Sequence, residues 1–220
     1  MLSLTSSRTG DKSSQRGDTL IEVLFAITIF SMVVVAVMSL MNQGVSASRR
    51  SLEMTLVRDQ IDAQATSLRL MHQSYVTAYK PDITYSPSDL SPAAQYYNVI
   101  QHIKAFNLTQ PSPTSGLTSC PTTTPSGAFF VNPRTTRFIN SAATIEPSGS
   151  SYSQVSGAND SAMTAKGIWI EGLRTAQDDS DPLTSNAGYI DFHIKACWYA
   201  PGLDLPMSMG TIVRLYEPRG

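Results

Sequence analysis

The sequence predicts an α+β protein in which a long N-terminal α-helix, membrane-spanning in its first half and amphipathic in its second, packs on a small antiparallel β-sheet head. Three observations predict it. From Thr19 to Met41 the chain runs for 23 residues with Glu22 as the only charged one. Beyond them Met54, Val57, Ile61, Ala65, Leu68, His72, Tyr75 and Tyr79 recur at steps of three and four, one stripe of an amphipathic helix. Near the C-terminus Ile190, Phe192, Ile194, Ala196 and Trp198 alternate with Asp191, His193 and Lys195, the period-two pattern of a half-buried strand.

The first element is long enough to cross a bilayer: at 1.5 Å per residue, 23 helical residues span ~34 Å against a hydrocarbon core of ~30 Å. A carboxylate at that depth costs ~2.5–3.5 kcal/mol on insertion scales, so Glu22 marks a function rather than an anchor. Before it stands a short basic leader, residues 1–17, with Arg8, Lys12 and Arg16 against Asp11, hence a charge of +2. Its removal changes the net charge of the chain from −1 to −3. An ordinary secretory signal released near Val45-Ser46-Ala47 fits poorly, because the apolar run exceeds the 7–15 residues typical of such signals. A plain anchor fits poorly as well: basic residues flank both ends of the span, and it has no use for Glu22.

A leader ending in Gly17, followed by Thr19, Leu20, Ile21, Glu22, Val23 and Leu24 at the head of a long apolar helix, resembles the type IV prepilin family. The likeness covers roughly residues 8–45 and departs at Asp18, where the family most often has Phe. It implies cleavage between Gly17 and Asp18 by prepilin peptidase, N-methylation of Asp18, and assembly with other pilin subunits through the N-terminal helices. Glycine suits the cleaved position because it lacks a Cβ and lets catalytic groups approach the backbone. Glu22 then has a partner: the new ammonium of Asp18 in a neighbouring subunit, since a buried charge is tolerated when an opposite one lies within a few ångströms. The Asp18 carboxylate adds a negative group beside that ammonium. The implied setting is the cytoplasmic membrane, N-terminus inside and head extracytoplasmic, with lipid and the inner-membrane assembly machinery as partners, and then an extracellular filament. The resemblance extends to pseudopilins of type II secretion or DNA-uptake systems. A membrane-anchored binding domain that never polymerises is the reading from another class.

The organisation expected is leader 1–17, transmembrane or filament-core helix 18–43, amphipathic helix 44–80, and a globular head 81–220. One helix from about Thr19 to Tyr79 is ~90 Å long. Gly44 offers a bend where the rod leaves the membrane, Leu52 and Leu56 widen the buried stripe, and Pro81 stops the helix. Ser91-Pro92 caps a second helix reaching about Phe106. Residues 109–127, dense in Pro, Thr, Ser and Gly, read as a long loop. Strands are expected at Ala128–Val131, Thr136–Ile139, Lys166–Arg174, Gly188–Tyr199 and Thr211–Tyr216, the last three as an antiparallel meander.

The chemistry of the chain is sparse. Cys120 and Cys197 are its two cysteines; after export they pair as a disulfide worth ~4–5 kcal/mol in the chain-entropy treatment, or else remain as two thiols. His72, His102 and His193 fall on different elements, and His72 lies on the buried stripe. Tyr96, Tyr97, Trp169 and Trp198 read as core residues. Asp178, Asp179 and Asp181, followed by Asn186 and Gly188, offer oxygen ligands for calcium but lack the EF-hand spacing. No nucleophile elbow or paired-carboxylate motif occurs, and no organic cofactor motif. With no polybasic cluster in a mildly acidic chain, a nucleic-acid partner is not expected.

Overall fold

The computed structural model of the 220-residue chain describes residues 18–80, 84–86, 88–113, 118–149, 152–159, 162–175 and 188–218. Helix α1 runs Asp18–Ala78 and α2 Pro92–Phe106. The strands are β1 (Phe130–Asn132), β2 (Arg137–Ile139), β3 (Ile145–Glu146), β4 (Gln154–Ser156), β5 (Thr164–Lys166), β6 (Ile168–Thr175), β7 (Tyr189–Trp198) and β8 (Met207–Tyr216), with a 3₁₀ turn at Ala142–Thr144. The chain divides into two compact units after Ala47.

In the first unit the helix is bare. Its large apolar side chains from Leu20 to Val45, the partly covered Val34 apart, are exposed by between 49% at Val45 and 77% at Met32. Among the described residues nothing covers them, and lipid or other helices are the media that suit such a surface.

In the second unit the amphipathic stripe does what its period requires. Val57, Ile61, Ala65, Leu68 and Met71 are buried, with Tyr75 behind them, and they share one core with Tyr96, Val99, Ile100 and Ile103 of α2. Leu52 and Leu56 do not widen the stripe. They are exposed by 60% and 37%, on the side of the helix away from the core, because only the face repeating through Val57, Ile61 and Leu68 meets the sheet. α2 starts as its sequence dictates: Ser91 is the N-cap, its hydroxyl accepts from the Ala94 N–H, and proline follows at the first helical position. It ends at Asn107, whose left-handed backbone donates to the Ile103 carbonyl.

The meander β6-β7-β8 is antiparallel throughout, with Ile170 opposite Ile194 and Phe192 opposite Val213. The strand at the C-terminus begins at Met207, four residues before the alternation is legible, because Met207–Gly210 pair against Lys195–Trp198. Three short strands escaped the sequence reading. They form a second sheet, ordered β3-β5-β4, in which β3 and β5 are parallel, so the head is mixed rather than wholly antiparallel. The β1-β2 hairpin is a third sheet. Bridges Phe129–Ile170 and Gly149–Trp198 join these smaller sheets to the meander.

Gly167 sits at the junction. Its φ of +65° is left-handed, its N–H donates to Glu146 O, and its carbonyl accepts from Cys197 N. A Cβ there would lie 2.4 Å from Cys197 O, so the turn from β5 into β6 requires glycine on both conformational and spatial grounds.

Candidate functional site

The N-terminal helix carries the residues singled out in the sequence. Gly17 lies outside the described residues; Asp18 is the first residue of α1, and Glu22 is exposed one turn along it. Four helical residues separate the two positions by ~6 Å along the axis.

Three hydroxyls of the same helix bond to its own backbone. Thr28 Oγ1 donates to Phe25 O at 2.8 Å, Ser31 Oγ to Ile27 O at 2.7 Å and Ser46 Oγ to Asn42 O at 3.0 Å. A hydroxyl returned to its own backbone can enter a nonpolar medium without leaving a donor unpaired. Thr28, Ser31 and Ser39 lie along one strip, and small residues there let a second helix approach closely.

In the head the polar residues serve packing. Cys120 and Cys197 form a disulfide with Cα atoms 5.7 Å apart, so neither is a free thiol. It ties the loop after α2 to β7, and the Tyr199 hydroxyl accepts from Cys120 N–H beside it at 3.1 Å. Ser112 in the same loop is held more firmly. Its N–H and hydroxyl both donate to the Glu171 carboxylate, and Lys195 Nζ donates to its carbonyl. Glu171 also accepts from Trp169 Nε1 at 2.9 Å and pairs with Lys195 at 2.8 Å. Burial pushes the Glu171 carboxyl up, but the hydrogen bonds from Lys195, Ser112 and Trp169 outweigh it and hold the group below the usual carboxylate range.

The three histidines are apart. His72 is half-buried on α1, its ring edge-on to Tyr96 and its Nε2 2.8 Å from Tyr216 O. His102 on α2 lies 3.1 Å from Gly127 O among Phe106, Phe129 and Phe138, and burial lowers its pKa. His193 is on β7, lowered by burial and by the charge of Lys195. They do not form a common site. Of the aromatic residues expected inside, Tyr96, Trp169 and Trp198 are fully buried and Tyr97 half-buried against the core. Asp178, Asp179 and Asp181 lie outside the described residues. Among the described residues no group of three His, Cys, Asp or Glu side chains is placed to hold a metal.

A long apolar helix in which Glu22 is the only charge between Thr19 and Met41 is the mark of a prepilin-type N-terminal segment. Residues 12–38 match the prokaryotic N-terminal methylation motif, the signature of type IV prepilins. No curated protein and no solved structure matches the chain.

Sequence reasoning missed the Ser112–Glu171–Lys195 network and two docking glutamines. Gln64 of α1 donates to Val131 O at 2.7 Å and accepts from Val131 N at 2.8 Å, and Gln95 of α2 accepts from Phe138 N. The one legible signal was Gln64 standing between Ile61 and Leu68 on an apolar face.

Proposed function

We propose that this chain is a non-enzymatic structural subunit, a minor pilin of a type IV pilus or related filament. It is inserted in the cytoplasmic membrane as a precursor with its head extracytoplasmic. Prepilin peptidase cleaves it between Gly17 and Asp18 and methylates Asp18, and the product polymerises through residues 18–43. The observation that carries this reading is the prepilin-type motif over residues 12–38, with Glu22 inside an apolar helix that the described residues leave exposed.

The mechanism is helix-on-helix packing with an electrostatic register. Before assembly lipid covers residues 20–41. In a filament neighbouring helices replace it, and Glu22 must find a cation as water is excluded. The ammonium of Asp18 in the next subunit is that cation, and a misregistered helix leaves both charges unpaired at a cost of several kcal/mol.

Co-expression with a prepilin peptidase tests the processing step: wild type should lose the mass of the 17-residue leader, and Gly17→Ala should stay at full length. Identical full-length masses for both reject the proposal, and release after Ala47 points to a secretory signal. Glu22→Ala should be processed normally yet be missing from sheared surface filaments. A non-polymerising binding domain would be indifferent to it. A wild-type chain found only in short periplasm-spanning assemblies would mark a pseudopilin.

A further inference from the structure

The head holds one cleft whose lining reads as a ligand site. It measures about 200 Å³ and lies where the end of α1, the last turn of α2 and the ends of β6 and β8 meet, lined by Tyr75, Tyr79, Lys104, Arg174 and Glu217. That volume is below the ~300–1,000 Å³ of drug-sized pockets, so it suits a single small ring.

Each wall offers a different chemistry. Tyr75 and Tyr79 stand edge to face with ring centroids 5.7 Å apart and give an aromatic wall; burial first, then its tyrosine neighbours, push the Tyr75 hydroxyl up to about 12, so at neutral pH it keeps its proton. Arg174 grips Glu217 through two bonds of 2.7 Å. The carboxylate is thereby fixed, with lone pairs left on both oxygens to accept from hydroxyl groups. Lys104 is exposed and has no carboxylate within ion-pair distance among the described residues. Among the described lining residues two cations stand against one anion, a charge of +1.

We propose that this cleft binds an acidic sugar, a single hexuronate-like ring whose carboxylate meets Lys104, whose hydroxyls donate to Glu217, and whose C–H face lies on the tyrosine rings. The mixture of walls selects the class. A neutral sugar leaves Lys104 without a counter-charge. A bare inorganic anion faces Glu217 and leaves the aromatic wall uncovered. Only a ligand carrying both a carboxylate and several hydroxyls on a compact ring meets every wall. The site does not depend on polymerisation, so it gives the head a recognition role separate from assembly.

The test is calorimetric titration of the full chain in detergent with glucuronate, glucose and inorganic phosphate. Glucuronate should bind at about 10 mM or below, and glucose and phosphate about tenfold or more weakly. Lys104→Gln and Tyr79→Ala should each weaken glucuronate binding by about tenfold. Lys104→Arg should retain it, and so should Gln101→Ala, an exposed control on the same helix. Melting temperatures confirm that each variant is folded. No heat with glucuronate overturns the proposal, as does phosphate binding as tightly, or affinity that survives Lys104→Gln.

Discussion

Lys195 Nζ lies 2.8 Å from Glu171 Oε2 with the two side chains only 5% and 1% exposed, a buried ion pair on the meander whose remaining contacts reach out to Ser112. Its partners occupy a strand, a neighbouring strand and a distant loop, so the pair fixes where the loop between α2 and β1 lies on the sheet. Two charges buried together do not by themselves stabilise a fold, but removing one leaves the other uncompensated.

Lys195→Met should therefore destabilise the head by about 3–5 kcal/mol, while Lys195→Met with Glu171→Leu should recover much of the loss. Thermal melts followed by tryptophan fluorescence read this directly, since Trp169 donates to the same carboxylate. Glu171 has a lowered pKa, so its contribution is complete above the ordinary carboxylate value of about 4.3 and is lost as pH falls through the lower folded value. Glu171→Gln should flatten that acid limb; an unchanged limb would show that other carboxylates set it.

Gln64→Leu should cost about 1–3 kcal/mol for each Val131 backbone group it leaves buried and unpaired. Gln73→Leu on an exposed part of the same helix should change stability by no more than about 0.5 kcal/mol. Amide exchange at Val131 separates the local effect from a global one.

Gly172→Ala should destabilise by about 1–3 kcal/mol through overpacking. Its Cβ would fall 2.3 Å from Ile103 Cδ1 and 2.7 Å from Cγ1, where α2 packs on β6. Ile103→Val removes the nearer carbon, so the double variant should be more stable than the two separate losses would add up to. Strict additivity in denaturant melts would mean that the contact is relieved elsewhere.

Loss of the Cys120–Cys197 bridge, by Cys120→Ala with Cys197→Ala, should cost about 2–4 kcal/mol. The loop holding Ser112 and Cys120 should then be the first segment cut by protease, because only hydrogen bonds, chiefly those of Ser112 and that of Cys120 N–H to Tyr199, would still hold it. Equal cleavage patterns with and without the bridge would show that the Glu171 network suffices.

Much of the architecture was legible because it rests on periodicity, which is local. The run from Thr19 to Met41, the stripe through Val57, Ile61 and Leu68, the Ser91-Pro92 cap and the alternation of β7 each declare their conformation within a few residues. So does the processing motif, whose Gly17, Thr19 and Glu22 stand within six positions. The strands β3, β4 and β5 gave no such signal: at two or three residues they are too short to show a period, and their pairing joins segments from Ile145 to Lys166.

What the sequence determined by itself is a long apolar helix with Glu22 as the only charge between Thr19 and Met41, a surface that suits lipid or other helices. Tertiary structure alone decided the inside of the head: that the stripe of α1 leaves Leu52 and Leu56 outside, that Gln64 pairs with Val131, and that Ser112 closes over Glu171 and Lys195. The reason is physical. A hydrophobic period is written in neighbouring residues, whereas a buried polar group is stable only beside a partner that the chain delivers from 24, 59 or 67 residues away.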